Sequence, residues 1–206
     1  MQHAHRQSLL RRRTIVGAGL GAGLCGIDAM ALAAEASAAP WQPALREGGI
    51  VVALRHATAP GTFDPPGFKL GDCSTQRNLS EDGRAQARRI GAALRAQGLQ
   101  PAAVRTSPWC RCVDTATLAF GAGSAEPWAA LGSPQGNSEA TSAEHMDALR
   151  AALRRIGTQR GRVEAWVTHM FVLAALVQEN TASGEGLVLR SGDNGRVQLL
   201  GRIAPA

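Results

Sequence analysis

The chain has 206 residues, of which 45% are hydrophobic and 18% are charged, and its formal net charge is +6. This length and apolar content suit one α/β domain with a sizeable core, or one domain and a tail. The basic excess is mild and spread along the chain, so it suits an anionic small substrate and does not indicate nucleic-acid binding.

The first 38 residues predict an export signal. Arg12 and Arg13 precede a mildly hydrophobic segment rich in Gly and Ala, which resembles a twin-arginine signal, with an ordinary Sec signal as the alternative. Residues 36–38, Ala-Ser-Ala, have the small-x-small pattern of a signal-peptidase site. We therefore expect residues 1–38 to be a signal peptide and residues 39–206 to form the folded domain. The mature protein would be periplasmic or extracellular, without stable membrane insertion.

The predicted export implies a disulfide among the cysteines of the domain. An exported protein meets an oxidising compartment, where disulfides form and persist. The domain has three cysteines, Cys73, Cys110 and Cys112, so one disulfide leaves one thiol over. We expect an intrachain bond from Cys73 to either Cys110 or Cys112, and the sequence leaves both pairings open.

The first predicted element is a buried strand that ends in charge. Four apolar residues lead to Leu54, and the run stops at Arg55 and His56. A long polar loop with several prolines and glycines follows over residues 59–80. Ser80, its last residue, is expected to cap a helix that ends at Gly98.

The middle of the chain continues the alternation of strands and helices. Residues 102–107 predict a second strand, and Pro108 predicts the start of a helix directly after it. A third strand is expected around residues 126–131, followed by a polar loop. Thr141 and Glu144 have the spacing of a capping box for the next helix. Its core-facing residues recur at helical spacing: Met146, Leu149, Leu153 and Ile156.

The last third of the chain predicts a strand, a helix and a hairpin. Residues 163–168 form an apolar run that, like the first strand, is followed by a histidine, His169. A buried helix is expected next. Two further strands joined by the turn sequence SGDNG, residues 191–195, predict a β-hairpin. This order of elements predicts a mixed sheet covered by helices on both faces.

Two predicted strands therefore end in a histidine at the same edge of the sheet. In open α/β sheets, ligands bind in the crevice beyond the carboxyl ends of the strands. A second arginine, Arg111, lies early in the helix after the second strand. We expect Arg55, His56, Arg111 and His169 to meet at this edge.

Four segments, in order along the chain, resemble the signatures of the histidine phosphatase superfamily, which includes the phosphoglycerate mutases. The resemblance implies a three-layer α/β/α sandwich with a mostly parallel central sheet and a C-terminal hairpin. The segments are LRHA at 54–57, which resembles the RHG signature; RNLSEDGRAQA at 77–87; TSPWCRCVDTA at 106–116; and VTHM at 167–170.

The resemblance also implies roles for the four residues. His56 matches the histidine that attacks phosphorus and becomes phosphorylated, and His169 matches the second histidine of the pocket. Arg55 and Arg111 match the arginines that grip the phosphate, because guanidinium groups bind its oxygens in pairs. A neutral imidazole can attack phosphorus, and a protonated His169 would donate a further hydrogen bond. The expected function is that of an exported phosphatase which hydrolyses a phosphomonoester, on a small substrate or on a phosphoprotein, through a phosphohistidine on His56 and with no metal or other cofactor.

Three positions depart from the family pattern. Ala57 and Met170 stand where glycine is usual, so the pocket walls should differ. The acid of the family's L-x-E segment is replaced by Ser133, which cannot protonate a leaving group. Asp72 in the long loop is the first candidate for the general acid, and Asp64 is the second.

Three alternatives remain open at this point. The fold could bind a phosphorylated ligand without turnover, which the missing acid motivates. It could instead transfer the phosphoryl group as a phosphotransferase or mutase. A metal hydrolase that uses His56, His145 and His169 is the third, although their spacing does not match a known ligand pattern.

Overall fold

The computed structural model describes residues 41–134 and 141–206, so the predictions for residues 1–38 lie outside the described part. Within these ranges, none of the helices is long and apolar enough to cross a membrane. The strands are β1 Ile50–Arg55, β2 Ala103–Thr106, β3 Ala125–Pro127, β4 Val163–Thr168, β5 Gly186–Ser191 and β6 Val197–Ile203. The helices are α1 Gln42–Glu47, α2 Glu81–Ala96, α3 Cys110–Phe120, α4 Ala143–Gly157 and α5 Met170–Val177.

The strands form one mixed sheet in the order β3-β2-β4-β1-β5-β6. Strands β3, β2, β4 and β1 run parallel to one another, whereas β5 runs antiparallel to β1. Strands β5 and β6 form the antiparallel C-terminal hairpin. The mostly parallel sheet and its terminal hairpin are therefore confirmed.

Helices cover both faces of this sheet, as predicted. Val52 and Leu54 of β1 belong to a core cluster that includes residues of α1, α2 and α3. Val51 and Ala53 of the same strand belong to a second cluster with residues of α4 and α5. Successive side chains of a strand point to opposite faces, so each apolar residue of β1 is buried under one layer or the other. The fold is a three-layer α/β/α sandwich.

The start of α2 fixes the loop that follows β1. The hydroxyl oxygen of Ser80 accepts a hydrogen bond from the Gly83 amide at 3.0 Å, as expected for an N-cap. The amide of Ser80 donates to the Thr58 carbonyl oxygen at 3.2 Å. A Cβ atom at position 83 would lie 2.0 Å from that oxygen, so only glycine permits this close approach.

Several element boundaries differ from the predictions. The predicted third strand is shorter, because Pro127 cannot donate to the ladder and the chain turns into a 3-10 helix over Ala129–Leu131. Helix α3 begins at Cys110 rather than at Pro108, with Trp109 as its N-cap. The predicted capping residue Thr141 is wrong by one position: the hydroxyl of Ser142 accepts from the His145 amide at 3.1 Å.

A disulfide joins Cys73 to Cys110, which selects one of the two expected pairings. Cys112 is a buried free thiol. The bond ties the long loop after β1 to the first residue of α3, next to Arg111. The amide of Cys110 also donates to Oε1 of Gln76 at 3.0 Å, so a second contact joins the loop to the same helix end.

Removal of this disulfide should destabilise the protein. The double variant Cys73→Ser with Cys110→Ser should lower the free energy of unfolding by about 2–4 kcal/mol, because a 37-residue separation leaves the unfolded chain far less constrained. Urea unfolding with and without a reductant measures the effect. The reductant should lower the midpoint of the wild type and leave the variant unchanged; equal midpoints for all samples would contradict the prediction.

Candidate active site

The pairing of β1 with β4 brings the two predicted histidines together. Arg55, the last residue of β1, pairs with Thr168, the last residue of β4. His56 and His169 are the next residues along the two strands, and the amide of His56 donates to the Thr168 carbonyl oxygen at 2.9 Å. Their ring centroids are 5.5 Å apart. Strand register alone therefore accounts for this part of the site.

Strand β2 and helix α3 complete the same edge. The amide of Ser107, the residue after β2, donates to the Val167 carbonyl oxygen at 2.8 Å, which places Ser107 beside the end of β4. Its hydroxyl oxygen lies 2.8 Å from Nε2 of His169. Arg111, in the first turn of α3, has its Nη2 3.4 Å from Nδ1 of the same ring.

The four predicted residues surround one small cavity. Its volume is about 130 Å³, which equals that of about four water molecules at about 30 Å³ each. A phosphoryl group has a comparable number of oxygens, so the size suits it. The cavity is lined by Arg55, His56, Gly61, Thr62, Arg77, Arg111, Ser133, His169, Met170 and Phe171.

The His56 ring is oriented as a nucleophile. Its Nδ1 lies 2.7 Å from the Ala57 carbonyl oxygen, which can only accept, so Nδ1 carries the proton and Nε2 carries the lone pair. His56 is 2% exposed. Burial, together with the nearby Arg111, Arg77 and Arg55, lowers the pKa of His56 to about 3, although the Ala57 hydrogen bond raises it. The ring therefore stays neutral at pH values where an exposed histidine would titrate.

His169 is held in the opposite tautomer. Arg111 can only donate, so Nδ1 of His169 accepts and the neutral ring carries its proton on Nε2, directed at Ser107. Burial, and secondarily the charges of Arg111 and the other two cavity arginines, hold the pKa of His169 well below its usual value. Burial therefore favours the neutral ring, and the hydrogen bond expected from a protonated His169 would require a bound anion that raises this pKa.

Three arginines make the cavity strongly electropositive. Arg55, Arg77 and Arg111 all line it, and each has a buried Nε–H group without an acceptor among the described residues. Three like charges around one small cavity repel one another, so a bound anion would stabilise the site. Burial lowers the pKa of Arg77 to about 10, and the neighbouring Arg111 contributes to the shift. A phosphoryl group would supply the compensating charge and oxygen acceptors for guanidinium N–H groups.

The other ends of these guanidinium groups are held by the backbone. The Nη1 atom of Arg55 donates to the Thr181 carbonyl oxygen. The Nη1 atom of Arg77 donates to the Ala59 and Gly61 carbonyl oxygens at 2.6 and 3.0 Å. Fixed guanidinium groups lose little conformational entropy when they bind an anion, so the site is preorganised.

The two candidates for the general acid, Asp72 and Asp64, occupy different places. The Asp72 carboxylate accepts from the amide and hydroxyl of Ser74 at 3.1 and 2.7 Å, where it caps a 3-10 helix in an exposed loop. It does not line the cavity, because this local cap fixes it elsewhere. Asp64 instead lies beside the site: its Oδ1 accepts from Nη1 of Arg111 at 2.8 Å.

Asp64 acts as a support for the cavity wall. Besides Arg111, its Oδ1 accepts from the Arg77 amide at 2.9 Å, and its Oδ2 accepts from Nε1 of Trp109 at 3.1 Å. All three partners are donors, so Asp64 serves as an acceptor that orients Arg111. The side chain is 15% exposed, which shields this ion pair from solvent.

The departures from the family pattern also lie at the cavity. Met170 lines it and its sulfur lies 3.7 Å from Nη1 of Arg55. Ser133 lines it as well, in the place where the L-x-E acid was missing. Ala57 is fully buried, and its amide donates to the Thr115 hydroxyl at 3.0 Å.

Two residues of the site, Arg77 and Ser107, have no role assigned from the sequence. Arg77 precedes a helix, where an arginine is commonly solvated, and it lines the cavity because the loop after β1 folds back through its contact with Asp64. Ser107 lies within the TSPWCRCVDTA segment, which is the signal that could have identified it. Its position beside His169 depends on the pairing of β2 with β4, and this order of strands is a tertiary property.

The described residues contain no group of three or more His, Cys, Asp or Glu side chains that could hold a metal ion. His145 does not join the other two histidines: it borders a second cavity next to the first. The ligand set proposed for a metal hydrolase is therefore not assembled in this part of the chain.

Comparison with solved structures shows a shared fold. The protein histidine phosphatase SixA complexed with tungstate is 18% identical, with a TM-score of 0.51 over 76% of this chain and 97% of that chain. A mutant phosphoserine phosphatase from Entamoeba histolytica, in complex with phosphoserine, is 12% identical, with a TM-score of 0.54 over 74% and 95%. Mycobacterial hydrolase 1 is 18% identical, with a TM-score of 0.54 over 73% and 95%.

The sequence comparison locates the similarity in the first half of the domain. No curated protein matches the chain. Residues 54–131 match the model of the histidine phosphatase superfamily (branch 1), a range that includes Arg55, His56 and Arg111. This partial match and the shared phosphoglycerate mutase-like sandwich relate the chain to the histidine phosphatase superfamily over residues 54–131.

Proposed function

We propose that this protein is a phosphatase that hydrolyses a phosphomonoester through a phosphohistidine on His56. One observation carries the proposal: a buried imidazole, kept neutral with its lone pair on Nε2, lines a cavity together with three arginines. A neutral imidazole is a competent nucleophile, and positioned cations stabilise the charge of a phosphoryl group in transfer.

The reaction proceeds in two displacements. Nε2 of His56 attacks phosphorus, the bond from phosphorus to the ester oxygen breaks, and the departing oxygen takes a proton from solvent water to leave as the alcohol. A water molecule then attacks phosphorus and gives up a proton to the solvent, the P–N bond breaks, and inorganic phosphate leaves with the neutral imidazole restored. Arg55, Arg77 and Arg111 hold the equatorial oxygens throughout, and Asp64 keeps Arg111 in place.

A panel of phosphomonoesters tests this proposal on the purified full chain. We expect release of inorganic phosphate from an aryl ester such as p-nitrophenyl phosphate, unchanged by a chelator. Transfer of the phosphoryl group to an added alcohol in place of free phosphate would favour a phosphotransferase or mutase. Neither product with any ester would contradict the phosphatase.

A second candidate function is binding of a phosphorylated ligand without turnover. It is favoured by the absence of a carboxylate among the residues that line the cavity in the described part of the chain. Isothermal titration calorimetry separates the two candidates. Phosphate binding without hydrolysis of any ester would favour the binding protein, and turnover would exclude it.

Binding of a dianion should draw a proton onto His169. Nearby negative charge raises the pKa of a histidine, opposing the burial and arginine charges that lower it in the empty cavity. Tungstate remains a dianion around neutral pH, so it reports this change without titrating itself. Calorimetry in buffers of different ionisation enthalpy should show proton uptake near pH 6, which His169→Gln abolishes. The wild-type affinity should fall as the pH rises; a buffer-independent enthalpy would contradict the prediction.

We further propose that the protein is exported. Residues 1–38 carry the Arg12-Arg13 pair, the apolar segment and the Ala-Ser-Ala pattern, and the Cys73–Cys110 disulfide supports an oxidising destination. Expression of the full chain in a bacterium, followed by fractionation and N-terminal sequencing, tests this. We expect a product in the periplasm or medium that begins at residue 39. Replacement of both arginines by lysine should stop export only if the twin-arginine route is used.

A further inference from the structure

A second, larger cavity adjoins the phosphate cavity. Its volume is about 260 Å³, and Ser133 lines both cavities. Trp109 forms another part of its wall, and the same indole packs edge-on against the His169 ring at a centroid distance of 5.4 Å. A molecule with its phosphoryl group beside His56 could therefore extend past Ser133 into the second cavity.

One wall of this cavity is apolar. It consists of Leu70, Pro108, Trp109 and Ala129, and Phe68 stacks on the outer face of Trp109 at a centroid distance of 5.5 Å. Leu70 is 47% exposed and is one of two large hydrophobic residues that are exposed in the described ranges. The other, Phe63, stacks on Phe171 at the phosphate cavity. Together with Pro108, Trp109 and Ala129, the exposed Leu70 gives the second cavity a wall of carbon atoms that an apolar group could cover.

The position of the Trp109 ring is fixed from three sides. Its Nε1 donates to Asp64 at 3.1 Å, and Phe68 covers one face. A Cβ atom at position 132 would lie 2.6 Å from the ring, so Gly132 is the residue that lets the indole lie in this wall. The apolar wall is thus built into the fold at the same place where Asp64 holds Arg111.

Ser133, Thr141, Ser142 and His145 form the polar part of the described lining. Ser142 already uses its hydroxyl to cap α4, and His145 is half-buried. None of the charged residues that line the phosphate cavity recurs among the described residues of the second cavity. Within the described ranges, this cavity therefore offers apolar contact and few groups that would bind a polyhydroxylated or anionic ligand.

We propose that the second cavity receives the leaving group of the substrate, and that this group is apolar: an alkyl chain or aromatic ring. The inference rests on the proposed phosphatase activity and specifies its substrate class. An apolar monoester would bury carbon against Leu70 and Trp109, with roughly a fourfold gain in kcat/KM for each methylene removed from water. A sugar phosphate would lose hydrogen bonds to water without replacing them.

Two alkyl esters test the preference for an apolar leaving group, and their chemical reactivities do not favour the apolar one. Hexyl phosphate and glycerol phosphate both release primary alcohols, and glycerol is the slightly better leaving group. We expect kcat/KM for hexyl phosphate to exceed that for glycerol phosphate by about 10-fold or more. Equal values, with p-nitrophenyl phosphate hydrolysed normally, would overturn the inference and leave the phosphatase intact.

A substitution that fills the second cavity tests the inference, and the same substitution outside both cavities is its control. Ala129 is exposed and lines the second cavity only, whereas Ala151 is an exposed alanine of α4 that lines neither cavity. Ala129→Trp should lower kcat/KM for hexyl phosphate by about 10-fold and change the glycerol phosphate value by less than about twofold. Ala151→Trp should change neither. Equal losses on both esters in Ala129→Trp would contradict the inference, and no hydrolysis of any ester by the wild type would overturn it together with the phosphatase.

Discussion

Replacement of His56 by alanine should lower kcat/KM for phosphomonoester hydrolysis by roughly 10⁴-fold or more, since the variant has no atom to accept the phosphoryl group. His169 cannot substitute for it. In the neutral state its Nδ1 accepts from Arg111 and its Nε2–H points at Ser107, so neither nitrogen offers a free lone pair. Steady-state assays of phosphate release measure the loss.

The control for this variant is anion binding, because His56 is buried and its removal could disturb the site. The three arginines remain, so tungstate affinity should fall by far less than turnover does. Thermal unfolding by circular dichroism verifies the fold. A folded His56→Ala variant that turns over within about 10-fold of wild type would contradict the assignment of the nucleophile.

Replacement of Arg111 by lysine should lower kcat/KM by about 10²–10³-fold, although the charge is kept. The guanidinium of Arg111 reaches Asp64 at 2.8 Å through one nitrogen and His169 at 3.4 Å through the other, and the same side chain lines the cavity. A lysine ammonium has a single nitrogen and cannot serve these directions together. The loss should fall mainly on kcat, because the fork matches the phosphoryl group in transfer.

A matched arginine elsewhere separates this effect from a general response to lysine. Arg84 of α2 lines neither cavity and pairs with Asp114 at 3.1 Å, with a third of its side chain exposed. Arg84→Lys should change kcat/KM by less than about twofold. Equal activities of the Arg111 and Arg84 variants would show that Arg111 does not contact the reacting phosphoryl group.

The sequence could predict that the site residues meet at one edge of the sheet, because this depends only on where the strands and helices begin and end. The apolar runs before His56 and His169 predict two strands, and the ends of parallel strands lie at one edge. The observed register adds only that β1 and β4 are immediate neighbours, which places the two rings side by side. Arg111 follows in the same way, as an early residue of the helix after β2.

The loop after β1 could not be predicted, because tertiary contacts decide its conformation. Asp72 and Asp64 both lie in the loop, and their sequence surroundings do not distinguish them. The Asp72 carboxylate accepts a hydrogen bond from Ser74, two residues away, whereas the Asp64 carboxylate accepts one from Arg111 of α3. The pairing of Cys73 with Cys110 rather than with Cys112 also depends on tertiary contacts. Cys112 faces the core beside His169, with its sulfur 3.5 Å from Nε2, while Cys110 faces the loop.

The protonation state of His169 could not be predicted from the sequence. Burial first, and then the charge of Arg111 and its neighbours, lower the pKa of His169 well below its usual value, so the ring is neutral unless an anion lies beside it. The number of arginines around it follows from the fold and not from any local motif. Arg77 in particular reaches the site through the loop that Asp64 and the disulfide hold in place.

The most direct examination of the catalytic cycle is to trap the intermediate on the enzyme. Rapid mixing with p-nitrophenyl phosphate, a quench in alkali and peptide mass spectrometry should find one phosphoryl group on the imidazole at position 56, labile in acid and gone in the alanine variant. Full turnover with no such adduct, or a phosphoryl group attached to another side chain, would refute covalent transfer to this ring.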